Sequence, residues 1–173
     1  MNKESKPFPI LTSERLTLRQ LSQTDAERIL QLRSDPEINK FLDRKPSKTL
    51  QDASTFIQSI IENGGDGLFY WAITRIGDEK LIGTICLFEF SNDGKKCEIG
   101  YELLTEYQGH GFMIEAAQKI IGFAGKTLGL KTVDTVTHKD NKSSTGLLLK
   151  LGFEELEDSD VGNRDLIVFR LAR

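Results

Sequence analysis

The middle of the chain constrains the fold most, because its pattern predicts three successive β-strands joined by tight turns. Residues 68–75 and 81–90 are rich in aromatic and β-branched side chains, and Gly77-Asp78 between them is typical of a turn. Asn92-Asp93-Gly94 is the strongest hairpin signal in the sequence, and it joins the second strand to a third over 97–104. We therefore expect these strands to lie in one sheet.

Helical and further β patterns flank this region. The remaining predicted elements are, in chain order, a strand at 14–21, helices at 22–33 and 49–63, a helix that begins after Gly111 and ends before Gly129, a strand at 131–138, a helix at 143–151, and strands at 153–156 and 166–171. This order predicts an α/β (α+β) fold with one mixed, mostly antiparallel central sheet of about seven strands and helices on both faces. Because no repeat or linker divides the chain, residues 1–173 are expected to form a single domain.

Charge and composition exclude several classes of function. The 23 basic and 26 acidic residues give a net charge of −3, which disfavours binding to duplex DNA or to an anionic membrane. No apolar run approaches the roughly 18 residues that cross a bilayer, and residues 1–9 are unlike a signal peptide. Cys86 and Cys97 predict no disulfide framework and, with two histidines at unrelated spacings, no zinc site. We expect a cytoplasmic protein without a metal.

A glycine-rich segment between a predicted strand and a predicted helix is the first candidate for a binding site. Gln108-Gly109-His110-Gly111-Phe112-Met113 leads into the long helix, whose first N–H groups have no acceptor within the helix. Small residues let a ligand approach the backbone, and the helix dipole favours an anion such as a pyrophosphate by about 0.3–1 kcal/mol. The spacing fits neither a P-loop nor the Rossmann fingerprint. The alternative is that the glycines only allow a tight turn.

Three other segments carry motifs that accompany this loop. They are Asn141 with Lys150, Gly152 and Phe153, the strand Glu98-Ile99-Gly100-Tyr101-Glu102-Leu103, and the opening Ser13-Glu14-Arg15-Leu16-Thr17-Leu18-Arg19. Together with the loop they resemble the GNAT superfamily of N-acetyltransferases, and most of all the branch that acetylates N-terminal alanines of ribosomal proteins. Gln108 and Gly111 match the coenzyme A loop of that family, whereas Met113 departs from it. The resemblance runs from about Pro9 to Leu171.

The resemblance implies that acetyl-CoA binds in a V-shaped gap where the fourth and fifth predicted strands, 97–104 and 131–138, splay apart. The pantetheine arm would pair with the backbone of the fourth strand, and the pyrophosphate would lie on the amides that open the long helix. The cofactor-binding residues implied in this way are Tyr101, Glu102, Leu103, Gln108, Gly109, His110, Gly111, Phe112, Met113, Ile114, Asn141 and Ser143. Among them, His110 is expected to donate to phosphate rather than to act as a base.

In this family an amine attacks the thioester directly, so the amine must first lose a proton. At pH 7, deprotonation costs about 4.6 kcal/mol for a lysine side chain of pKa about 10.4, but only about 1–1.4 kcal/mol for an α-amine of pKa about 7.7–8.0. Glu98 and Glu102 are candidate bases, but they lie roughly 13 Å apart on one face of the strand, so only one can be near the thioester. Glu98 matches the position of the base in many family members. The alternative is that both carboxylates face solvent.

The departing thiolate needs a proton or a hydrogen bond. Many family members place a Tyr seven residues after the Asn, where this chain has Leu148. The ribosomal-alanine branch instead places a Ser three residues after the Asn, which is Ser144 here. The resemblance therefore implies that Ser144 is catalytic, beside Glu98. The alternative is that Ser143 and Ser144 only cap the following helix.

Recognition of the amine is expected from 36–49 and from the last hairpin, which vary in the family. The acidic residues that lead into this hairpin are Glu154, Glu155, Glu157, Asp158 and Asp160, and they form either a solvated edge or a field that attracts a cationic amine. The predicted function is acetyl transfer from acetyl-CoA to a protein N-terminus or a small-molecule amine, by a monomer or homodimer. The competing hypotheses are an aminoglycoside or polyamine acetyltransferase, a non-catalytic acyl-CoA-binding regulatory module, and a nucleotide-binding module.

Overall fold

A computed structural model describes residues 7–64, 67–157 and 162–172 of the chain. The strands are β1 (Leu11–Thr12), β2 (Leu16–Gln20), β3 (Leu68–Arg75), β4 (Leu81–Phe88), β5 (Lys96–Leu103), β6 (Thr132–His138), β7 (Glu154–Glu155) and β8 (Leu166–Ala172). The helices are α1 (Ala26–Ser34), α2 (Pro36–Asn39), α3 (Leu50–Asn63), α4 (Phe112–Lys126) and α5 (Lys142–Lys150), with 3₁₀ turns at Gln23–Asp25 and Thr105–Tyr107. None of these helices is long and apolar enough to cross a membrane.

The strands form one sheet in the order β1-β2-β3-β4-β5-β6-β8-β7. In the described parts of the chain every neighbouring pair is antiparallel except β5 with β6, which run parallel. This confirms the predicted mixed, mostly antiparallel sheet. All seven predicted strands are present, and β1 is the additional one, because a strand of two residues has no periodicity to detect.

Capping side chains determine where the first helices begin. Thr49 accepts a hydrogen bond from the N–H of Asp52, whose carboxylate accepts from the N–H of Thr49, so the capping box predicted before α3 is confirmed. Ser22 caps a 3₁₀ turn, whereas the prediction placed the start of an α-helix there. In this turn Arg19 binds both carboxylate oxygens of Asp25, at 2.9 and 2.7 Å. The helix α1 accordingly begins only at Ala26.

Different helices cover the two faces of the sheet. Under α4 and α5, which define the α4 face, the core includes Leu16, Leu18, Trp71, Ile73, Ile85, Leu87, Ala117, Ile120 and Leu148. Under α1 and α3, which define the α1–α3 face, the core comprises Leu21, Ile29, Leu32, Ala53, Ile57, Ala72, Leu81 and Leu104. The predicted placement of helices on both faces is therefore confirmed.

The strand β5 divides its side chains between the two faces. Cys97, Ile99 and Leu103 belong to the core of the α4 face. Because successive strand residues point to opposite faces, Glu98 and Glu102 point to the α1–α3 face. The structure thus gives these two carboxylates the shared face that their spacing predicts.

Candidate functional site

The strands β5 and β6 diverge along their length. Their register consists of Lys96 with Thr132, Cys97 with Val133, and Glu98 with Asp134. Beyond these pairs β5 stays paired with β4 as far as Leu103, and β6 stays paired with β8 as far as His138. In the described chain no further pair joins β5 to β6, so a gap with strand backbone on both sides opens beyond Glu98. This is the V-shaped divergence that the resemblance implies.

The glycine-rich loop lies at the open end of this gap. Gln108 Nε2 donates a hydrogen bond of 2.9 Å to the carbonyl of Leu103, the last residue of β5, and so ties the loop to the end of that strand. Gly109 and Gly111 have φ angles of +79° and +78°, which other residues adopt only with strain. Gly111 is the N-cap of α4 and supplies no side-chain cap, so the first amides of α4 have no partner within the helix.

The loop is held by Arg15, a residue of the opening motif to which the sequence assigned no role. Its Nη1 donates to the carbonyl of His110 at 3.0 Å, and its Nε bonds Glu115 in α4 at 2.8 Å. Its guanidinium lies 4.5 Å from the centre of the Phe112 ring. Glu115 also accepts from the Ser13 hydroxyl at 2.6 Å. These contacts join the residues just before β2 to the start of α4, across about a hundred residues of sequence.

The side chain of Glu115 is ionised in this arrangement. Burial acts to raise its pKa, but the bonds from Ser13 and Arg15 outweigh burial and hold the pKa of Glu115 below its usual value. The His110 side chain itself is exposed, with its ring centre 6.1 Å from that of Phe112. A role for His110 as a phosphate donor stays a prediction.

Asn141 caps α5, and this corrects one sequence-based alternative. Its Oδ1 accepts the N–H of Ser144 at 3.2 Å, so the cap is neither Ser143 nor Ser144. The interpretation of these two serines as caps is wrong, because both lie inside the helix, where their backbone N–H groups are the ones in need of acceptors. Ser143 is exposed, and Ser144 is half-buried.

The Ser144 hydroxyl meets a phenol from the opposite side of the gap. Its Oγ lies 2.6 Å from Oη of Tyr101 in β5, a residue 43 positions earlier in the chain. The Tyr101 ring packs against the core of the α4 face, and burial raises the pKa of this phenol even though the bond to Ser144 acts to lower it. Tyr101 therefore carries its proton at neutral pH. Leu148, which stands where other family members have a Tyr, is fully buried.

The two carboxylates of β5 have different surroundings. Glu102 is 8% exposed, and one of its oxygens lies 2.6 Å from Nη2 of Arg44. Glu98 is half-buried, and its pKa is raised by burial and by repulsion from Glu89 and Asp134. Because both point to the α1–α3 face, the structure does not bring Glu98 into contact with Ser144. The two predicted catalytic residues instead approach the gap from opposite faces.

The segment after α2 reaches across the open end of the gap on the α1–α3 face. Arg44 contacts Glu102 of β5, and the Phe41 ring centre lies 4.9 Å from that of His138 at the end of β6. Asn39 accepts a hydrogen bond of 2.8 Å from Nε of Arg44 and so fixes its guanidinium. The predicted acceptor segment 36–49 therefore touches both diverging strands.

The other residues singled out in the sequence lie away from this geometry. Burial raises the pKa of both Cys86 and Cys97 to about 12, which keeps the thiols protonated. Of the acidic run, Glu154, Glu155 and Glu157 are exposed, while Asp158 and Asp160 lie outside the described residues. Within the described ranges no group of three His, Cys, Asp or Glu residues could hold a metal ion.

The sheet, the gap and the loop define a class of protein. Residues 15–154 match the family described as the acetyltransferase (GNAT) domain, and the chain belongs to this family. The resemblance stated from the sequence motifs is confirmed, and the protein is an acetyltransferase.

Particular relatives narrow the comparison. The uncharacterized N-acetyltransferase YoaA of Bacillus subtilis is 34% identical over 152 residues, which are 86% of this chain and 84% of YoaA. The [ribosomal protein uS5]-alanine N-acetyltransferase of Escherichia coli is 29% identical over 158 residues, 84% of this chain and 78% of its own. The microcin C7 self-immunity acetyltransferase MccE, solved in complex with acetyl-CoA and AMP, has a TM-score of 0.77 and 24% identity over 93% of this chain and 94% of its own.

Proposed function

We propose that the protein transfers the acetyl group of acetyl-CoA to a primary amine, either a protein N-terminus or a small-molecule amine. One observation carries the proposal. The gap between β5 and β6 opens at the same end of the sheet as the uncapped amides of α4, because Gln108 ties the intervening loop to Leu103. An extended ligand with an anion at one end fits this arrangement, and MccE, which shares the fold, was solved with acetyl-CoA.

The residues around the gap fit such a cosubstrate. A Cβ built at Gly109 would meet nothing within 4 Å, so this stretch of loop backbone is open to an approaching phosphate. The backbone of β5 beyond Glu98 offers donors and acceptors to the amides of the pantetheine arm. Asn141 uses Oδ1 for its cap and keeps its Nδ2 group to donate. When bound, acetyl-CoA supplies the activated thioester carbonyl.

Glu98 is the proposed base. A general base is most effective when its pKa lies near the working pH, and the pKa of Glu98 is raised in that direction. Glu102 is less suitable because Arg44 already binds its carboxylate. An α-amine loses its proton at a cost of only about 1–1.4 kcal/mol at pH 7, so a carboxylate acting through one water is sufficient. This argument favours α-amines over lysine side chains as acceptors.

Ser144 is the proposed hydrogen-bond donor to the departing sulfur. It lies on the α4 face, opposite Glu98. In this scheme Glu98 accepts the proton of the amine from one side of the gap, and Ser144 donates to the leaving sulfur from the other. No cysteine takes part in this scheme, since the raised pKa values of Cys86 and Cys97 leave them protonated and poorly nucleophilic. The support for Ser144 is its position on α5 beside the gap together with the family resemblance.

A thiol-release assay tests the proposal. Purified protein is mixed with acetyl-CoA and a panel of amines: peptides with a free N-terminal Ala or Ser, an aminoglycoside, and a polyamine. The matched control for each peptide is the same peptide with its α-amine blocked and an internal Lys left free. We expect thiol release with one of the free α-amines and none with its blocked counterpart.

Other outcomes separate the competing hypotheses. Faster release with the aminoglycoside or polyamine would favour an acetyltransferase of that acceptor class. Binding of acetyl-CoA in calorimetry without thiol release for any amine would contradict catalysis and favour a regulatory acyl-CoA-binding module. Tight binding of ATP with no heat from coenzyme A would contradict the proposal altogether and favour a nucleotide-binding module.

A further inference from the structure

The bond between Tyr101 and Ser144 spans the gap. Tyr101 belongs to β5 on one side, and Ser144 belongs to α5, which follows β6 on the other. At 2.6 Å between Oη and Oγ the bond is short for two neutral hydroxyls. It bridges the gap on the α4 face beyond Glu98, where β5 and β6 no longer pair. The family resemblance implies that the backbone of Tyr101 binds the pantetheine arm, and it implies nothing for the side chain.

The relative acidity of the two hydroxyls favours one direction for this bond. A phenol of pKa about 10 is a far stronger acid than an aliphatic hydroxyl, so it is the better hydrogen-bond donor. Either oxygen could be the donor at this distance, and the difference in acidity favours the orientation in which Tyr101 donates and Ser144 accepts. The single hydroxyl hydrogen of Ser144 is then free to point toward the gap. If the direction were reversed, the hydrogen of Ser144 would be consumed within the pair.

The geometry points to Tyr101 as a positioning residue whose phenol orients the Ser144 hydroxyl so that its hydrogen faces the sulfur of the bound thioester. This inference rests on the proposed function. During transfer the bond from the amine nitrogen to the acetyl carbon forms, and the carbon–sulfur bond breaks with its electron pair going to sulfur. Glu98 takes the proton that the amine loses and returns it to solvent, and solvent protonates the released thiolate. Tyr101 donates to Ser144, Ser144 donates a hydrogen bond to the sulfur, and both hydroxyls keep their protons.

Kinetics of three variants test this role. Tyr101→Phe is expected to lower kcat about five- to tenfold, the size of one lost neutral hydrogen bond, with KM for acetyl-CoA unchanged within about twofold. Ser144→Ala is expected to lower kcat further, and Tyr101→Phe is expected to have no added effect in that background. The matched control is Tyr70→Phe, which removes another phenol–hydroxyl bond, 3.3 Å to Thr84, and should leave kcat unchanged.

A binding measurement separates this inference from the proposed function, because it needs no turnover. In calorimetry, wild-type protein should bind coenzyme A about fivefold more tightly than desulfo-coenzyme A, since only the former offers a sulfur to Ser144. This preference should disappear in Ser144→Ala, shrink in Tyr101→Phe and persist in Tyr70→Phe. If wild-type protein prefers coenzyme A to desulfo-coenzyme A but shows no turnover, the proposed function is contradicted and the orientation of Ser144 is supported.

Two results would overturn the positioning role. One is an equal preference of wild type and Tyr101→Phe for coenzyme A over desulfo-coenzyme A. The other is a fall in kcat for Tyr101→Phe that is just as large in the Ser144→Ala background, since it would show that the phenol acts without the serine. If the phenol were purely structural, Tyr101→Phe would instead lower thermal stability and raise KM. It would leave the preference for coenzyme A unchanged, and its effect would add to that of Ser144→Ala.

Discussion

The two faces of the sheet beside β5 are built in different ways. On the α4 face the candidate site lies mostly within one stretch of chain, from β5 to α5, and much of it is backbone: the open edge of β5, the glycine loop and the first amides of α4. On the α1–α3 face it depends on charged side chains, and Arg44 reaches Glu102 from 58 residues away. A site made of local backbone suits a constant ligand, whereas side chains from a separate segment can change with the acceptor.

The carboxylates of β5 repeat this contrast within one strand. Arg44 compensates the charge of Glu102, while Glu98 keeps a raised pKa because burial and neighbouring carboxylates act on it. The same residue type, four positions apart on one face, thus pairs with a cation in one case and is surrounded by other carboxylates in the other. Each of the following variants tests one side of this comparison.

Removal of Arg44 should have the largest effect on stability. Arg44→Ala leaves the carboxylate of Glu102 without its cationic partner at 8% exposure, which we expect to lower the free energy of unfolding by about 3 kcal/mol in urea denaturation. The control is Arg75→Ala, whose pair with Asp78 is exposed and 3.4 Å long, with an expected change within about 0.5 kcal/mol. Equal losses in the two variants would show that the α1–α3 face does not depend on this ion pair.

Glu98→Gln should have the largest effect on catalysis. We expect kcat to fall about 100-fold with little change in KM for acetyl-CoA, because only the proposed base is removed. Glu106→Gln, at a glutamate that is 67% exposed, is the control and should retain wild-type kcat. A Glu98→Gln variant with more than half of the wild-type kcat would remove Glu98 from the mechanism.

The raised pKa of Glu98 also predicts two pH effects. The base acts only when ionised, so kcat should fall as pH falls through a pKa above the usual value of about 4.3. The folded state disfavours the ionised form of Glu98. The free energy of unfolding therefore falls as pH rises from the pKa of Glu98 in the unfolded state to its higher pKa in the folded state, and the loss is complete above both values. Glu98→Gln should therefore melt at a higher temperature than wild type at pH 7. A lower melting temperature would contradict the shift.

Two glycines with the same backbone conformation test the loop of the α4 face. Gly109 and Gly77 have φ angles of +79° and +83°, and a Cβ at either would meet nothing within 4 Å. An alanine should therefore lower stability by about 1–2 kcal/mol at both. Gly109→Ala alone should also weaken binding of coenzyme A, about fivefold in calorimetry. Equal affinities would mean that the loop does not touch the ligand.

Glu115→Gln should have the smallest effect. The pKa of Glu115 is lowered, so its stabilisation is present above the unfolded-state value and is lost as pH falls through the folded one. Because Arg15 is 42% exposed, solvent screens the pair, and we expect a difference of about 0.5–1 kcal/mol at pH 7. Denaturation at pH 7 and pH 3 should show this difference vanishing at the lower pH. A constant difference would indicate a loss of packing instead.

Local signals made much of the fold predictable. The hairpin at Asn92-Asp93-Gly94, the capping box at Thr49 and the glycines before α4 each act within a few residues, so the sequence shows them directly. The same locality explains the resemblance to the family, whose motifs are short. The start of α1 lies later than the pattern predicts, because Ser22 caps a 3₁₀ turn as readily as a helix.

The side-chain pairs of the candidate site were not predictable. Arg15 and Glu115 lie 100 positions apart, and Tyr101 and Ser144 lie 43 apart. Nothing in the spacing of such residues indicates that they meet, because the sheet order and the helix packing decide it. The sequence could therefore indicate Ser144 through a family motif, but not the phenol that orients it.

The divergence of β5 from β6 has a consequence for hydrogen exchange. Although β5 lies in the middle of the strand order, the part beyond Glu98 is bonded to a neighbouring strand on one side only. Every second amide there should exchange with deuterated water as quickly as in an outermost strand. A ligand that adds its own amides to this row would slow these exchange rates, so mass spectrometry of a few peptides can follow the filling of the gap without any chemical step.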